Sequence, residues 1–131
     1  QVRDYWGGMI ALGATTIWEA FDPTENFPQH YGMYGNKYGK SLCHAWGAGP
    51  IYLLGSYVMG LKPTAPGYKT FTVAPDTAGV SDFEGSLPLP DGHVDIAFND
   101  GHIKVCASRD GGRLIWQGQD VELPAGQTVE L

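Results

Sequence analysis

Three observations predict an α+β chain, helical in its first half and all-β in its second. The composition changes at Gly60: residues 1–60 hold 11 of the 16 aromatic residues and 3 bases against 4 acids, while residues 61–131 hold 5 aromatics and 5 bases against 10 acids. The apolar period changes at the same place, from the 3.6-residue repeat of a helix to the two-residue repeat of a half-buried strand. Asp100-Gly101 lies between two alternating runs, and a type I′ hairpin turn needs positive φ at both central positions, which this pair tolerates. With 131 residues, 43% apolar side chains, 19 Gly and 9 Pro, the chain has the composition of a folded domain, not of a disordered or fibrous one. The expected division is 1–60 helical and 61–131 strands.

In the first half, Tyr5, Met9 and Leu12 share one helical face, widened by Trp6 and Ile10, so a short helix is expected from Val2 to Leu12. Gly7-Gly8 weaken it and Gly13 stands where a helix ends. A second helix is expected from Ser41 to Met59, with Ser41 as N-cap, Gly60 as stop, and Pro50 forcing a kink or restart. Residues 14–40 are left as a loop, too long for a helical hairpin and too aromatic to be disordered. In the second half the alternation Lys69, Phe71, Val73, then Val94, Ile96, Phe98, then Ile103, Val105, Ala107 marks strands. Together with 83–89, 114–117 and 128–131 these make about six short strands, the pattern of an antiparallel sandwich.

Net charge and cysteine use exclude several function classes. A formal charge of −6 with no cluster of bases gives no footprint for nucleic acid or anionic lipid. No window approaches the roughly 20 apolar residues of a membrane span. Cys43 and Cys106 lack CxxC or paired-His spacing, so no metal site and no disulfide are indicated.

Two stretches carry chemistry. In Thr16-Ile17-Trp18-Glu19-Ala20-Phe21, a carboxylate stands beside aromatic rings. Rings can take the apolar face of a pyranose while a carboxylate handles protons or hydroxyls. The same pattern also fits a Glu19 that caps a helix or pairs with a base, over aromatics that fill core. In Ser41-Leu42-Cys43-His44-Ala45-Trp46-Gly47-Ala48-Gly49-Pro50, His44 could reach a sugar hydroxyl and Trp46 could wall a pocket. A buried His44 satisfied by one backbone carbonyl is the other reading. Asp22 and Glu25 stand in the same loop as Glu19, but nothing around them would raise a carboxyl pKa toward that of a proton donor.

Three blocks in order, Tyr5-Trp6-Gly7-Gly8 through Gly13 to Glu19, then Ser41 to Pro50, then Leu61-Lys62-Pro63-Thr64-Ala65-Pro66-Gly67-Tyr68, resemble the C-terminal part of bacterial α-L-rhamnosidases of glycoside hydrolase family 78. The resemblance runs over nearly the whole chain. It implies that residues 1–60 are the last helices of an (α/α) toroid, the C-terminal end of an incomplete catalytic domain, and that residues 61–131 are a C-terminal β-sandwich. It implies an inverting hydrolysis of terminal α-L-rhamnosides, in which an acid protonates the leaving oxygen while a carboxylate activates water from the opposite face. The two carboxyl groups then stand roughly 6.5 to 9.5 Å apart. By resemblance Glu19 matches the general base and His44 lines the rhamnose site, with Trp18 and Trp46 as further substrate contacts. The general acid belongs to the earlier toroid, so these 131 residues alone are expected to be inactive. The implied partners are a rhamnose-containing glycoside and the N-terminal remainder of the same protein; no cofactor or metal ligand is expected among these residues, and charge and hydropathy leave no nucleic acid or membrane partner. Helices aromatic on more than one face are expected to self-associate when that remainder is absent. The competing reading is a non-catalytic sandwich that binds carbohydrate or is purely structural.

Overall fold

The computed structural model describes residues 1–131. The chain divides into two compact units, Gln1–Ile51 and Tyr52–Leu131.

The first unit opens with helix α1, Val2–Ala11, and buries Met9. Gly7 and Gly8 are poor helix formers, yet Gly8 has a packing role: the ring of Phe21 occupies the place where a side chain would project. Beyond α1 the chain runs without long elements through a single 3₁₀ turn at Gln29–Tyr31. The long connection is held by rings: Trp18 packs on Tyr31 at 5.6 Å and on Phe21 at 6.3 Å, and Phe21 stacks on His30 at 4.8 Å. Met33 and Asn36 bridge each other around Tyr34 and Gly35, both at positive φ.

The second helical segment departs from expectation. Ser41 is not an N-cap: residues 41–44 run outside any helix, and a 3₁₀ turn begins only at Ala45, with an extended His44 in front of it. Local pattern favoured a cap, but the backbone of 41–44 is engaged instead by residues 16–19. Pro50 restarts the helix. It is the second residue of α2, Gly49–Leu53, where a missing N–H costs nothing, and a π-helical turn Leu54–Val58 follows. Gly60 ends the run at φ 80°, its carbonyl accepting the N–H of Ala74 at 3.0 Å.

The second unit contains eight strands in two four-stranded sheets. The first sheet has the order β1 (Leu61–Pro63), β2 (Phe71–Val73), β6 (Gly112–Trp116), β7 (Gln119–Leu123). The second has the order β3 (Asp82–Leu89), β4 (Gly92–Asn99), β5 (His102–Ala107), β8 (Thr128–Glu130). Strands β1 and β7 add to the six expected, and the β2–β6 pair is parallel where an antiparallel sandwich was expected throughout; every other pair is antiparallel. The core gathers Phe71, Val73 and Leu114 from the first sheet with Val94, Ile96 and Ile103 from the second, as period two dictates. Phe98 packs between Phe83 and Trp116 at 5.4 and 5.5 Å, which ties the sheets together with aromatic faces. Helices followed by a β-sandwich is thus the architecture of the chain.

Candidate functional site

Two segments far apart in sequence, 16–19 and 41–47, lie side by side in the first unit. The N–H of Glu19 donates to the carbonyl of Ser41 at 2.9 Å, and the N–H of His44 donates to the carbonyl of Ile17 at 2.8 Å. The hydroxyl of Thr16 donates to the carbonyl of Leu42. Across the same join, the N–H of Ser41 donates to Oε2 of Glu19 at 3.1 Å. A hydrogen bond to a charged acceptor contributes about 1.5 to 3 kcal/mol, and this one fixes which carboxylate oxygen faces the backbone.

Glu19 is partly buried, as is His44. His44 occupies the N-cap position of its 3₁₀ turn, and its ring lies 4.9 Å from that of Trp46 at an interplanar angle of 49°. Trp46 is 74% exposed and offers a broad ring face. Trp18 differs: it is 4% exposed and packed among Phe21 and Tyr31, so its ring supports the loop from beneath. The loop thus folds its own aromatics around Trp18. Trp6 is partly buried and donates from Nε1 to the carbonyl of Gly47 at 2.8 Å.

The other acids of the loop behave differently. The hydroxyl and N–H of Thr24 both donate to Asp22 Oδ1, at 2.7 and 2.8 Å, and this holds the Asp22 carboxyl below the usual carboxylate range. A carboxyl so placed is ionised at neutral pH and has no proton to donate. Glu25 is exposed and borders, with Gln29, Met33 and Lys37, an open cavity of about 590 Å³. A larger cavity of about 700 Å³ lies in the second unit between Thr64, Thr70, Arg113 and Glu122. Neither is lined by Glu19 or His44. The larger volume alone does not mark a site, because Arg113 at its edge is already paired with Asp120 at 2.7 Å. No three His, Cys, Asp or Glu side chains gather as metal ligands, both cysteines are free thiols, and no helix is long and apolar enough to cross a membrane.

Residue types pointed to Glu19, His44 and Trp46, and the fold brings their segments together. They gave no hint of the Ser41 N–H, since a backbone donor has no residue-type signature. The glycine at 47, with Ile17 and the carbonyl of Trp18 pressed against it, was the available trace of that close approach.

Comparison with known proteins accords with the fold. Residues 1–58 match the bacterial α-L-rhamnosidase 6 hairpin glycosidase domain, and residues 60–131 match the bacterial α-L-rhamnosidase C-terminal domain. The chain is 33% identical over 99 residues to an α-L-rhamnosidase of Alteromonas sp. (strain LOR), covering 71% of this chain and 10% of that protein. The crystal structure of a family 78 rhamnosidase of Bacillus sp. GL1 superposes with a TM-score of 0.67 at 27% identity, covering 96% of this chain and 14% of that one. The chain thus spans a small fraction of the length of these relatives. With both halves matched in order and the helix-then-sandwich architecture shared, the chain belongs to the bacterial α-L-rhamnosidases of glycoside hydrolase family 78.

Proposed function

We propose that this chain acts as part of a longer inverting α-L-rhamnosidase, to which it supplies the general base, Glu19. One observation carries the reading: a partly buried carboxylate whose Oε2 is fixed by the Ser41 N–H at 3.1 Å, on a segment hydrogen-bonded to the one that bears His44. A base that delivers water to an anomeric carbon must be held in one orientation, and the backbone donor at Ser41 holds Glu19 so. His44 contacts a sugar hydroxyl, and the exposed ring of Trp46 takes the apolar face of the rhamnose. Trp18 shapes the site from below, as its 4% exposure favours.

The proton for the leaving oxygen comes from a carboxylic acid outside these 131 residues. Asp22, held ionised by Thr24, is unsuited to the task. On this reading the chain alone hydrolyses nothing. The division of labour follows the family architecture, with residues 1–60 in the catalytic domain and 61–131 in a sandwich without catalytic groups. Trp116, the sandwich's one tryptophan, supports that division, because it turns its ring onto Phe98 in the core and presents no sugar platform.

The stereochemistry of the product tests the mechanism. Proton NMR of the full-length enzyme acting on an aryl α-L-rhamnoside should detect β-L-rhamnose as the first-formed sugar, before mutarotation. First formation of the α anomer would require a covalent intermediate and would remove the single-displacement role of Glu19.

A further inference from the structure

We infer that Gly47 and Thr16 are positioning residues for the Glu19 carboxylate, acting through the join between segments 16–19 and 41–47. This rests on the reading of Glu19 as base and adds to it the device that aims it. The carboxylate is oriented by an N–H that belongs to the opposite segment, so its direction is only as fixed as the spacing between the two backbones. Three ties set that spacing. Thr16 binds the Leu42 carbonyl through its hydroxyl. The His44 N–H binds the Ile17 carbonyl at 2.8 Å. At the far end, Gly47 lies so close to residues 17 and 18 that a Cβ there would stand 2.5 Å from Ile17 Cγ2 and 2.8 Å from the Trp18 carbonyl oxygen.

Gly47 is further pinned from α1, because Trp6 Nε1 donates to its carbonyl at 2.8 Å. Its missing side chain is therefore used for close approach of one backbone to another, not for a left-handed turn, as its φ lies outside the positive region. The Trp18 carbonyl is one peptide from Glu19, so any wedge at 47 moves the base directly. Catalysis is sensitive to this: a displacement near 1 Å can cost about 10²-fold in rate.

The test is made in the full-length enzyme with an aryl α-L-rhamnoside, measuring kcat and KM for Gly47→Ala, Thr16→Val, Thr16→Ser and, as reference, Glu19→Gln. Gly47→Ala and Thr16→Val should each lower kcat by about 10- to 100-fold; in Thr16→Val, which lies off the segment bearing His44 and Trp46, KM should change less than about twofold, because ground-state sugar binding does not depend on the aim of the base. Thr16→Ser keeps the hydroxyl and should restore most of the rate. Wild-type kcat in Gly47→Ala and Thr16→Val, while Glu19→Gln is impaired, would overturn the positioning role and leave the base intact. Wild-type turnover in Glu19→Gln would instead overturn the base reading, and the positioning role with it. Activity lost only in proportion to unfolded protein, with kcat per folded enzyme unchanged, would overturn the positioning role as well.

Discussion

At the scale of single residues, close approach and electrostatics decide what each position tolerates. Gly60 combines φ 80° with a direction in which any Cβ would run into the backbone of Ala74 and Pro75. Strain of this kind costs about 1 to 3 kcal/mol and overpacking a similar amount. Gly60→Ala should therefore lower the unfolding free energy by more than about 2 kcal/mol, measured by denaturant titration. Asp22 gives a prediction with a sign. Its folded carboxyl lies below the ordinary aspartate value of about 3.8 because the Thr24 hydroxyl and N–H bind the charged form. The turn's contribution is then fully present above about pH 3.8, the value of the unfolded chain, and is lost as pH falls through the lower folded value. A carboxyl NMR titration of Asp22 should show a midpoint below that of Asp22 in the Thr24→Ala variant, and equal midpoints would contradict the assignment. Glu19 was legible in the sequence from its neighbours Trp18 and Phe21 and from the family resemblance. What orients it was not, since the donor is a main-chain group 22 residues away.

Elements were legible where their stabilisation is local. The β4–β5 hairpin was readable because Asp100 and Gly101 take φ 47° and 89°, as a type I′ turn demands, and because Val94, Ile96 and Phe98 face the same core as Ile103 and Val105. Strand β1 escaped notice because three residues including Lys62 and Pro63 show no alternation; only Leu61 is buried, and it pairs with Val73. Strand β7 was hidden behind Gln117-Gly118, a positive-φ turn whose glutamine gives little warning. The parallel β2–β6 pair depends on a long excursion through the second sheet, which no window of local sequence contains. The failed N-cap at Ser41 has the same origin: hydrogen bonds to residues 16–19 outweigh a local preference. It follows that a polypeptide of residues 52–131 should unfold cooperatively. One of residues 68–131, lacking β1, should be weaker by at least the burial of Leu61, about 1.5 to 3 kcal/mol. Equal midpoints in thermal denaturation would show that β1 contributes nothing to the sandwich.

On the scale of the whole molecule, the apolar surface left open is the main feature. Trp46 and Ile51 in the first unit, and Tyr52, Leu53, Leu54 and Tyr57 in the second, are all exposed. Such surface is normally covered in a finished protein, and the relatives are far longer than this chain. The 131-residue chain by itself should self-associate in a concentration-dependent way in sedimentation velocity, its charge of −6 notwithstanding. Trp46→Ser with Tyr52→Ser should shift it toward monomer, and a chain that stays monomeric at high concentration would show that these residues need no cover.

The proposed role of Glu19 as general base of a longer hydrolase rests on proton acceptance by its carboxylate. Steady-state turnover of the full-length enzyme carrying Glu19→Gln, on an aryl α-L-rhamnoside with an activated leaving group, tests it most directly. The amide keeps the shape and the Ser41 hydrogen bond but cannot accept a proton. Because the activated leaving group bypasses the acid and not the base, kcat should fall by about 10² to 10⁴-fold with KM little changed. Added azide, a nucleophile that needs no deprotonation, should raise turnover by attacking the anomeric carbon from the face opposite the leaving group, forming the β-rhamnosyl azide as the phenolate departs. Wild-type kcat in Glu19→Gln would remove Glu19 from the mechanism and leave the loop of residues 14–40 a structural role alone.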